Sequence, residues 1–269
     1  MKYLGYLHDG SACIGVVDGD SVARLATIEE FYGDPARWRE AAAGERVPLS
    51  DAELVPPVPV TAKILCLGLN YEAHIEETGN RRPKAPNIFA RWYASLSCDG
   101  GEVVVPSGEP GLDWECELAV IIGDHLVDVP GGEAMAGILG YTCFNDISAR
   151  TYQGAASQWA LGKNADGSGP IGPVVVTADE FGDPYGRKIQ TRLNGDTMQS
   201  STTDRMIFKI DEVIEFITRC TSLRPGDVIA TGTPEGVGFR RDPPRLMMAG
   251  DVVEIDIEGI GVLTTHIVT

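Results

Sequence analysis

Residues 113–123, with the sequence DWECELAVIIG, place two glutamates, Glu115 and Glu117, at the start of an apolar run. The run from residue 116 onward is typical of a strand that enters a protein core. Because successive side chains of a strand point to opposite faces, Glu115 and Glu117 share a face, with Cα atoms about 7 Å apart. Burial of ionised carboxylates is unfavourable unless a cation compensates. The pattern therefore indicates a solvated edge strand or a metal site, and taken alone it favours the edge.

A third carboxylate, Asp146 in GYTCFNDISAR, follows another β-type run and neighbours Asn145 and Ser148. Taken alone, an aspartate in this position is more typical of a turn cap. Three carboxylates together suit a hard divalent cation, with Mg²⁺ as the first choice and Mn²⁺ or Ca²⁺ as alternatives. Such a set would leave about half of an octahedral shell for water or substrate.

Strand-like segments dominate the chain, and no alternation of strand and helix persists. The turn signals HDGS, VDGDS and NGD predict hairpins. Helices are predicted over residues 28–44, with an interruption at Pro35, and over 70–80 and 211–220. Prolines between residues 48 and 59 predict an extended connector. We expect a mainly β or α+β fold, with a small N-terminal domain over residues 1–58 and a larger domain over 59–269.

Composition excludes several classes of function. The 269 residues carry a net charge of −17, which disfavours binding to nucleic acid and to anionic membranes. No apolar run approaches the roughly 20 residues of a membrane helix, and the N-terminus lacks the apolar core of a signal peptide. The six cysteines are scattered without a CxxC pair, so we expect reduced thiols and a cytoplasmic protein.

Seven motifs follow one another in the part of the chain from about residue 60 to the end. They are GLNYEAHIEETG, DWECELAVIIG, GYTCFNDISARTYQ, LGKN with the later GPIGP, TRLNGDTMQ, LRPGDVIATGTPEGVG and GDVVEIDIEGIG. Each alone is a weak signal, but in this order they resemble the fumarylacetoacetate hydrolase family, which has acylpyruvase-like and 2-hydroxyhepta-2,4-diene-1,7-dioate isomerase-like members. The resemblance implies a mixed β-sandwich roll with a small N-terminal domain, a bound Mg²⁺ or Mn²⁺ and a homodimer.

The resemblance also assigns candidate site residues. It implies three metal ligands, which are Glu115, Glu117 and Asp146. His74 and Glu77 match the catalytic pair of the family's NYxxHxxE segment, and Lys163 matches its active-site lysine. At a spacing of three on a helix, His74 and Glu77 are neighbours. A carboxylate beside an imidazole orients it as a general base.

Further positions concern the substrate. Gln153 matches a polar residue that binds the reacting carbonyl region, and Thr233 lies in a glycine-rich loop that holds the substrate carboxylate. The stretch FARWYASL departs from the family, which makes Arg91, Trp92 and Tyr93 candidate contacts of the acyl end. The alternative is that Trp92 and Tyr93 pack under the sheet. The loop GKNADGSGPIGP also lacks an aromatic residue that many relatives have.

The main functional expectation is metal-dependent hydrolysis of a carbon–carbon bond in a 2,4-dioxo acid of the acylpyruvate type. His74, oriented by Glu77, would activate water, and Lys163 and the metal would stabilise the enolate that leaves. Two alternatives use the same enolate chemistry: isomerisation or tautomerisation of 2-oxo-enedioates, and decarboxylation of acids such as oxaloacetate. A metal-stabilised binding protein without catalysis is a remote alternative, because a binder has no use for a general base.

Overall fold

The computed structural model describes residues 1–38 and 44–269. Over these residues the chain forms sixteen strands, which are β1 (Lys2–His8), β2 (Ser11–Asp18), β3 (Ser21–Thr27), β4 (Arg46–Pro48), β5 (Ile64–Gly68), β6 (Asn87–Arg91), β7 (Leu96–Ser97), β8 (Gly101–Val104), β9 (Cys116–Ile122), β10 (Ile138–Asn145), β11 (Gly169–Thr177), β12 (Lys188–Leu193), β13 (Asp196–Thr202), β14 (Val228–Ala230), β15 (Val252–Ile257) and β16 (Gly261–Val268).

Helices are short over the same residues. The α-helices are α1 (Ile28–Gly33), α2 (Glu72–Thr78), α3 (Gly131–Ala134), α4 (Arg150–Gly154), α5 (Ala160–Lys163), α6 (Ala178–Phe181) and α7 (Ile210–Thr218). Single 3₁₀ turns occur at Pro35–Trp38, Leu49–Asp51, Tyr93–Ser95, Met135–Gly137, Thr203–Arg205 and Gly238–Arg240. None of the helices in the described part of the chain has the length and apolar character needed to cross a membrane.

In the described residues the strands form two sheets, as expected for a sheet-rich fold. The larger follows the order β4-β3-β2-β1-β11-β10-β9-β14-β5-β6, with β7 beside β11, and the smaller follows β13-β12-β15-β16-β8. The hairpins predicted from HDGS, VDGDS and NGD join β1 to β2, β2 to β3 and β12 to β13. The predicted helices at 70–80 and 211–220 are α2 and α7. The helix predicted over residues 28–44 corresponds to α1, which ends at Gly33, and to the 3₁₀ turn that follows it. Residues 39–43 of this prediction lie outside the described residues.

Strand β9 is buried on both faces, which explains its uninterrupted apolar sequence. Leu118 and Val120 pack into a core shared with α7 and the smaller sheet. Ala119 and Ile121, on the other face, pack into a core shared with α1 and the N-terminal strands. Glu117 shares the face of Ala119, so its carboxylate lies in the interior and not at a solvated edge.

The N-terminal strands extend the larger sheet. Strand β1 pairs antiparallel with β11, where Tyr3 lies opposite Val175. The proline-containing connector runs along β1, and the Val55 N–H donates to the Gly5 carbonyl oxygen at 3.0 Å. The domain boundary near residue 58 stays a prediction.

The six cysteines all lie in described residues and are free thiols, as expected. Four of them are buried, which are Cys13, Cys66, Cys116 and Cys143. Burial raises the pKa of the Cys98 thiol to about 12, so this half-buried cysteine is a poor nucleophile.

Close packing at Gly5 gives a test of how firmly the N-terminal strands are docked. A Cβ atom at this position would lie 2.4 Å from the Val55 carbonyl oxygen and 2.9 Å from the Pro57 Cα. Because backbone atoms cannot move aside cheaply, Gly5→Ala should lower the free energy of unfolding by about 1–3 kcal/mol, as overpacking does. Urea denaturation measures this. Gly33→Ala, where a Cβ meets open space, is the control, and equal stability of both variants would contradict the packing.

Candidate active site

The antiparallel pairing of β9 and β10 brings three carboxylates together. Asn145 lies opposite Cys116, so the next residue, Asp146, comes to lie beside Glu115. The Asp146 N–H donates to the Glu115 carbonyl oxygen at 2.9 Å. One oxygen from each of Glu115, Glu117 and Asp146 lies within 4.8 Å of the others, and all three side chains are buried. The distant aspartate and the paired glutamates thus meet through strand register.

Three cationic side chains surround the carboxylates. Lys163 Nζ lies 2.7 Å from Glu115 Oε2 and 2.6 Å from Asp146 Oδ2. Arg150 Nη2 lies 2.7 Å from Glu115 Oε1. Arg91 Nε lies 2.5 Å from Asp146 Oδ1. Both oxygens of Glu115 and of Asp146 therefore face a positive charge.

Glu117 is held differently from its neighbours. Its Oε2 accepts a hydrogen bond from the Gly232 N–H at 2.8 Å, whereas Oε1 is buried without a hydrogen-bond partner among the described residues. Burial raises the pKa of the Glu117 carboxyl well above its usual range, and the adjacent carboxylates raise it further. Burial also acts to raise the pKa of Glu115, but Lys163 and Arg150 outweigh it and lower that pKa to about 2.

The residues present fit a divalent metal ion. The donors are carboxylate oxygens from three side chains, which hard cations such as Mg²⁺ and Mn²⁺ prefer. The buried Oε1 of Glu117 lacks a partner that a cation would supply. A cation there would also relieve the repulsion that raises the Glu117 pKa.

Helix α2 carries the predicted catalytic pair. His74 Nδ1 lies 3.3 Å from Glu77 Oε2, as the spacing of three residues predicts. The Gly236 N–H donates to Glu77 Oε1 at 3.0 Å, which joins α2 to the glycine-rich loop. The helix ends at Thr78 and is capped by Gly79, whose left-handed φ of 69° suits a residue without a side chain.

A cavity of about 360 Å³ adjoins the carboxylates and α2. Its volume is in the range of small-molecule sites. Both charged or titratable groups and aromatic rings line it, and Lys163 lies over the Phe89 ring. Its lining includes Leu67, Gly68, Leu69, His74, Thr78, Asn80, Phe89, Glu115, Arg150, Gln153, Gly154, Trp159, Lys163, Thr233, Phe239 and Arg240. Of the predicted residues, His74, Glu115, Gln153, Lys163 and Thr233 therefore share this cavity, whereas Glu77, Glu117 and Asp146 are not among its lining residues.

Gln153 and Thr233 are both fixed by neighbours. Gln153 Oε1 accepts a hydrogen bond from Arg150 Nη1 at 2.7 Å. Gln199 Nε2 donates to the Thr233 hydroxyl at 2.9 Å. Helices α4 and α5 are in close contact, because a Cβ atom on Gly162 would lie 2.4 Å from the Gln153 backbone nitrogen. This contact places Gln153 next to the lysine that ends α5.

The segment 91–93 does not reach the cavity. Arg91 is buried against Asp146, so the expectation that it contacts the acyl end is not supported by the geometry. Trp92 is 54% exposed, and Tyr93 packs partly against the core beneath the larger sheet. Neither lines the cavity. Phe89, which shares a face of β6 with Arg91, is the aromatic residue of this region that does.

Sequence reasoning missed most of the lining, including Arg150, Trp159 and Arg240. Arg150 begins α4 within the motif GYTCFNDISARTYQ, and its Nε donates to the buried Asp113 carboxylate at 2.8 Å. Trp159 packs so closely on Gly68 that a Cβ there would lie 2.4 Å from the indole ring. Arg150 could have been found from its motif, whereas the positions of Trp159 and Arg240 depend on tertiary packing.

The unpartnered oxygen of Glu117 leads to a prediction for Glu117→Gln. Without metal, this variant should be at least as stable as the wild type, because it removes a buried carboxylate that other carboxylates repel. It should lose the stabilisation by Mn²⁺, which for the wild type is about 2.7 kcal/mol at a concentration of 100 Kd. Thermal unfolding with Mn²⁺ and with EDTA measures both effects.

The control for this experiment is Glu102→Gln, which removes an exposed carboxylate of β8. It should keep the full shift of Tm with Mn²⁺. A Glu117→Gln protein with the same metal-induced shift as the wild type would show that the three carboxylates do not hold the ion.

Comparisons with known proteins agree with this fold. The profile described as fumarylacetoacetate (FAA) hydrolase C-terminal matches residues 63–268, and the profile Rv2993c-like, N-terminal, matches residues 1–57. Oxaloacetate tautomerase Fahd2a, mitochondrial, from Rattus norvegicus is 38% identical over 87% of this chain and 75% of its own length.

Several solved structures resemble the whole chain, including those of an isomerase and a hydrolase. The 2-hydroxyhepta-2,4-diene-1,7-dioate isomerase from Mycobacterium marinum is 30% identical with a TM-score of 0.84, covering 100% of this chain and 98% of its own. The maleylpyruvate hydrolase from Sphingobium sp. SYK-6, in complex with manganese(II) ion and pyruvate, is 29% identical with a TM-score of 0.79, covering 100% and 99%. Since the hydrolase profile spans most of the chain and the fold agrees throughout, this protein belongs to the fumarylacetoacetate hydrolase family of enzymes.

Proposed function

We propose that this protein is a divalent-metal-dependent tautomerase of 2-oxo dicarboxylic acids, with oxaloacetate as a substrate. In this reaction a proton leaves C3 of the keto form and a proton is added to the C2 oxygen, so that no carbon–carbon bond breaks and no water is consumed. The observation that carries the proposal is a cavity lined by His74, Glu115 and cationic side chains, with Glu115 belonging to the carboxylate triad Glu115, Glu117 and Asp146 and His74 oriented by a carboxylate. The similarity to oxaloacetate tautomerases supports the choice of substrate.

Glu115, Glu117 and Asp146 would hold the metal ion. A divalent cation bound there supplies a Lewis acid that stabilises negative charge on the oxygens of a 2-oxo acid. We prefer Mg²⁺, and Mn²⁺ is supported by the manganese in the related maleylpyruvate hydrolase.

His74 is proposed to move the C3 proton. With Nδ1 directed at Glu77, the proton of the neutral ring resides on Nδ1 and leaves Nε2 as the acceptor. Glu77 is itself fixed by the Gly236 N–H, so the ring orientation is set before substrate arrives. Such positioned base catalysis contributes about 10²–10⁴-fold to a rate.

The remaining polar groups of the cavity are proposed to orient the substrate. Lys163, which lies between Glu115 and Asp146, places positive charge where negative charge develops on the substrate oxygens. The Thr233 hydroxyl, on the glycine-rich loop, would donate to the carboxylate at C1. Gln153 would donate to the carbonyl region through its side-chain amide.

A second candidate is hydrolysis of a 2,4-dioxo acid, which is supported by the similarity to maleylpyruvate hydrolase. In that reaction His74 would take a proton from water instead of from C3. Both candidates use the same residues, so products decide between them. Release of a pyruvate and a carboxylic acid from a dioxo acid would favour hydrolysis. The homodimer implied by the resemblance stays a prediction that light scattering in solution can check.

The proposal predicts the effect of His74→Ala on tautomerisation. The enol form of oxaloacetate is dissolved with metal-loaded protein, and the decay of its absorbance is compared with that in the same metal without protein. The wild type should accelerate the decay, and His74→Ala should reduce the enzymatic rate about 10²-fold, because the base is lost. The stabilisation by Mn²⁺ should remain, since His74 is not among the three carboxylates.

His125→Ala, which removes an exposed histidine outside the cavity, is the matched control and should behave like the wild type. If the wild type does not exceed the metal-only rate, the tautomerase proposal is wrong. An unchanged rate in His74→Ala, with an active wild type, would remove His74 from its role as base.

A further inference from the structure

Arg240 joins two parts of the cavity wall. It ends the 3₁₀ turn Gly238–Arg240 that follows the glycine-rich loop, and its Cζ lies 4.9 Å from the centre of the Phe239 ring. Its Nη2 donates to the carbonyl oxygen of Thr78, the last residue of α2, at 2.5 Å. The side chain thus reaches from the loop to the end of the helix that carries the catalytic pair.

Arg240 differs from the other cationic groups of the lining. Arg150 and Lys163 are both neutralised by carboxylates at 2.6–2.8 Å. Across residues 1–38 and 44–269, the Arg240 side chain has no carboxylate within 4.0 Å, and the Thr78 carbonyl oxygen is its one hydrogen-bond acceptor. A guanidinium group has five N–H donors, so most of them are free for a ligand.

The position of Arg240 relative to the triad matters for what it can bind. Arg150 and Lys163 contact the carboxylates of the candidate metal centre, whereas Arg240 contacts the end of α2 and lies at an exposed edge of the cavity. A substrate whose C1 carboxylate and C2 oxygen lie at the triad would direct its other end toward a different part of the lining. Arg240 is the cationic group of the lining that remains for that end.

We propose that Arg240 binds the carboxylate at the far end of the substrate and so selects 2-oxo acids that carry a second carboxylate. This inference rests on the proposed function, because it assumes that the 2-oxo acid end lies at the triad. The planar fork of arginine binds a carboxylate through two parallel hydrogen bonds and still has a donor for the Thr78 carbonyl oxygen. Binding of the far carboxylate therefore does not require release of α2.

A purely structural role for Arg240 is the competing explanation. A cation at a helix C-terminus interacts favourably with the last carbonyl groups, so Arg240 would stabilise α2 even without a ligand. Loss of such a role would affect all ligands alike and would lower the catalytic rate constant. Loss of carboxylate recognition would affect only ligands with a second carboxylate.

Binding of two unreactive ligands separates these explanations. Malate and 2-hydroxybutanoate share the 2-hydroxy acid end and differ in a terminal carboxylate or methyl group. We expect Mn²⁺-loaded wild type to bind malate more tightly than 2-hydroxybutanoate in calorimetry. Arg240→Gln should weaken malate binding about tenfold, the loss expected for a charge-assisted hydrogen bond at an exposed site, and leave 2-hydroxybutanoate unchanged. Malate binding by Arg240→Lys should be weaker than that of the wild type and tighter than that of Arg240→Gln, because lysine keeps the charge but lacks the planar fork of the guanidinium group.

Arg82→Gln is the matched control, because Arg82 is exposed, pairs with Glu72 of α2 and does not line the cavity. It should bind both ligands like the wild type. Equal weakening of both ligands in Arg240→Gln, unchanged malate binding, or no measurable malate binding by the wild type would each overturn the assignment.

Turnover provides a second and separate readout. Exchange of the C3 protons of oxaloacetate and of 2-oxobutanoate with D₂O compares a dicarboxylate with a monocarboxylate. In Arg240→Gln the KM for oxaloacetate should rise about tenfold with kcat retained, while exchange of 2-oxobutanoate stays unchanged. If the wild type binds malate through Arg240 but catalyses no exchange, the tautomerase proposal fails while the carboxylate assignment stands.

Discussion

The buried cluster of carboxylates and cations is the constraint on which the rest of this structure depends. Three carboxylates without solvent would cost several kcal/mol each if nothing compensated them. Lys163, Arg150 and Arg91 compensate Glu115 and Asp146, and each of these cations comes from a different element. The strands, α4 and α5 must therefore assemble together, because a missing cation would leave a buried charge unpaired.

Helix α2, which carries the proposed base His74, illustrates the same dependence on tertiary contacts. With seven residues, α2 is far too short to be stable alone. It is held by Glu77 on the Gly236 N–H and by Arg240 on the Thr78 carbonyl oxygen. Both contacts come from the segment that begins with the glycine-rich loop. The position of His74 is therefore set by a part of the chain more than 150 residues away, as the separation of 159 between Glu77 and Gly236 shows.

Much of the fold follows from local patterns in the sequence. Hairpin turns, the apolar run of β9 and the spacing of α2 and α7 predict their elements because these signals act over a few residues. The shared face of Glu115 and Glu117 follows from strand geometry. Whether that face is solvated or buried depends on the layers on either side of β9, which periodicity does not reveal.

The candidate site required more than local patterns. Asp146 meets the glutamates because of the register between β9 and β10, which local patterns do not reveal, so the prediction of that meeting depended on the family resemblance. Arg91 was expected at the acyl end, but it is buried on Asp146, since a charged residue near a strand end can satisfy an interior carboxylate as well as a ligand. Arg240 gave no sequence signal, because its importance arises from a carbonyl group 162 residues away.

The pairing of β1 with β11 has a consequence for truncated forms of the chain. Strand β10 pairs with one edge of β11, and β1 pairs with part of the other edge, near Val175. Without the N-terminal strands, this second edge of β11 would present unpaired N–H and C=O groups next to largely buried side chains. Exposed apolar edges of this kind pair with strands of other chains, so the N-terminal segment protects this edge from aggregation in addition to contributing to the core.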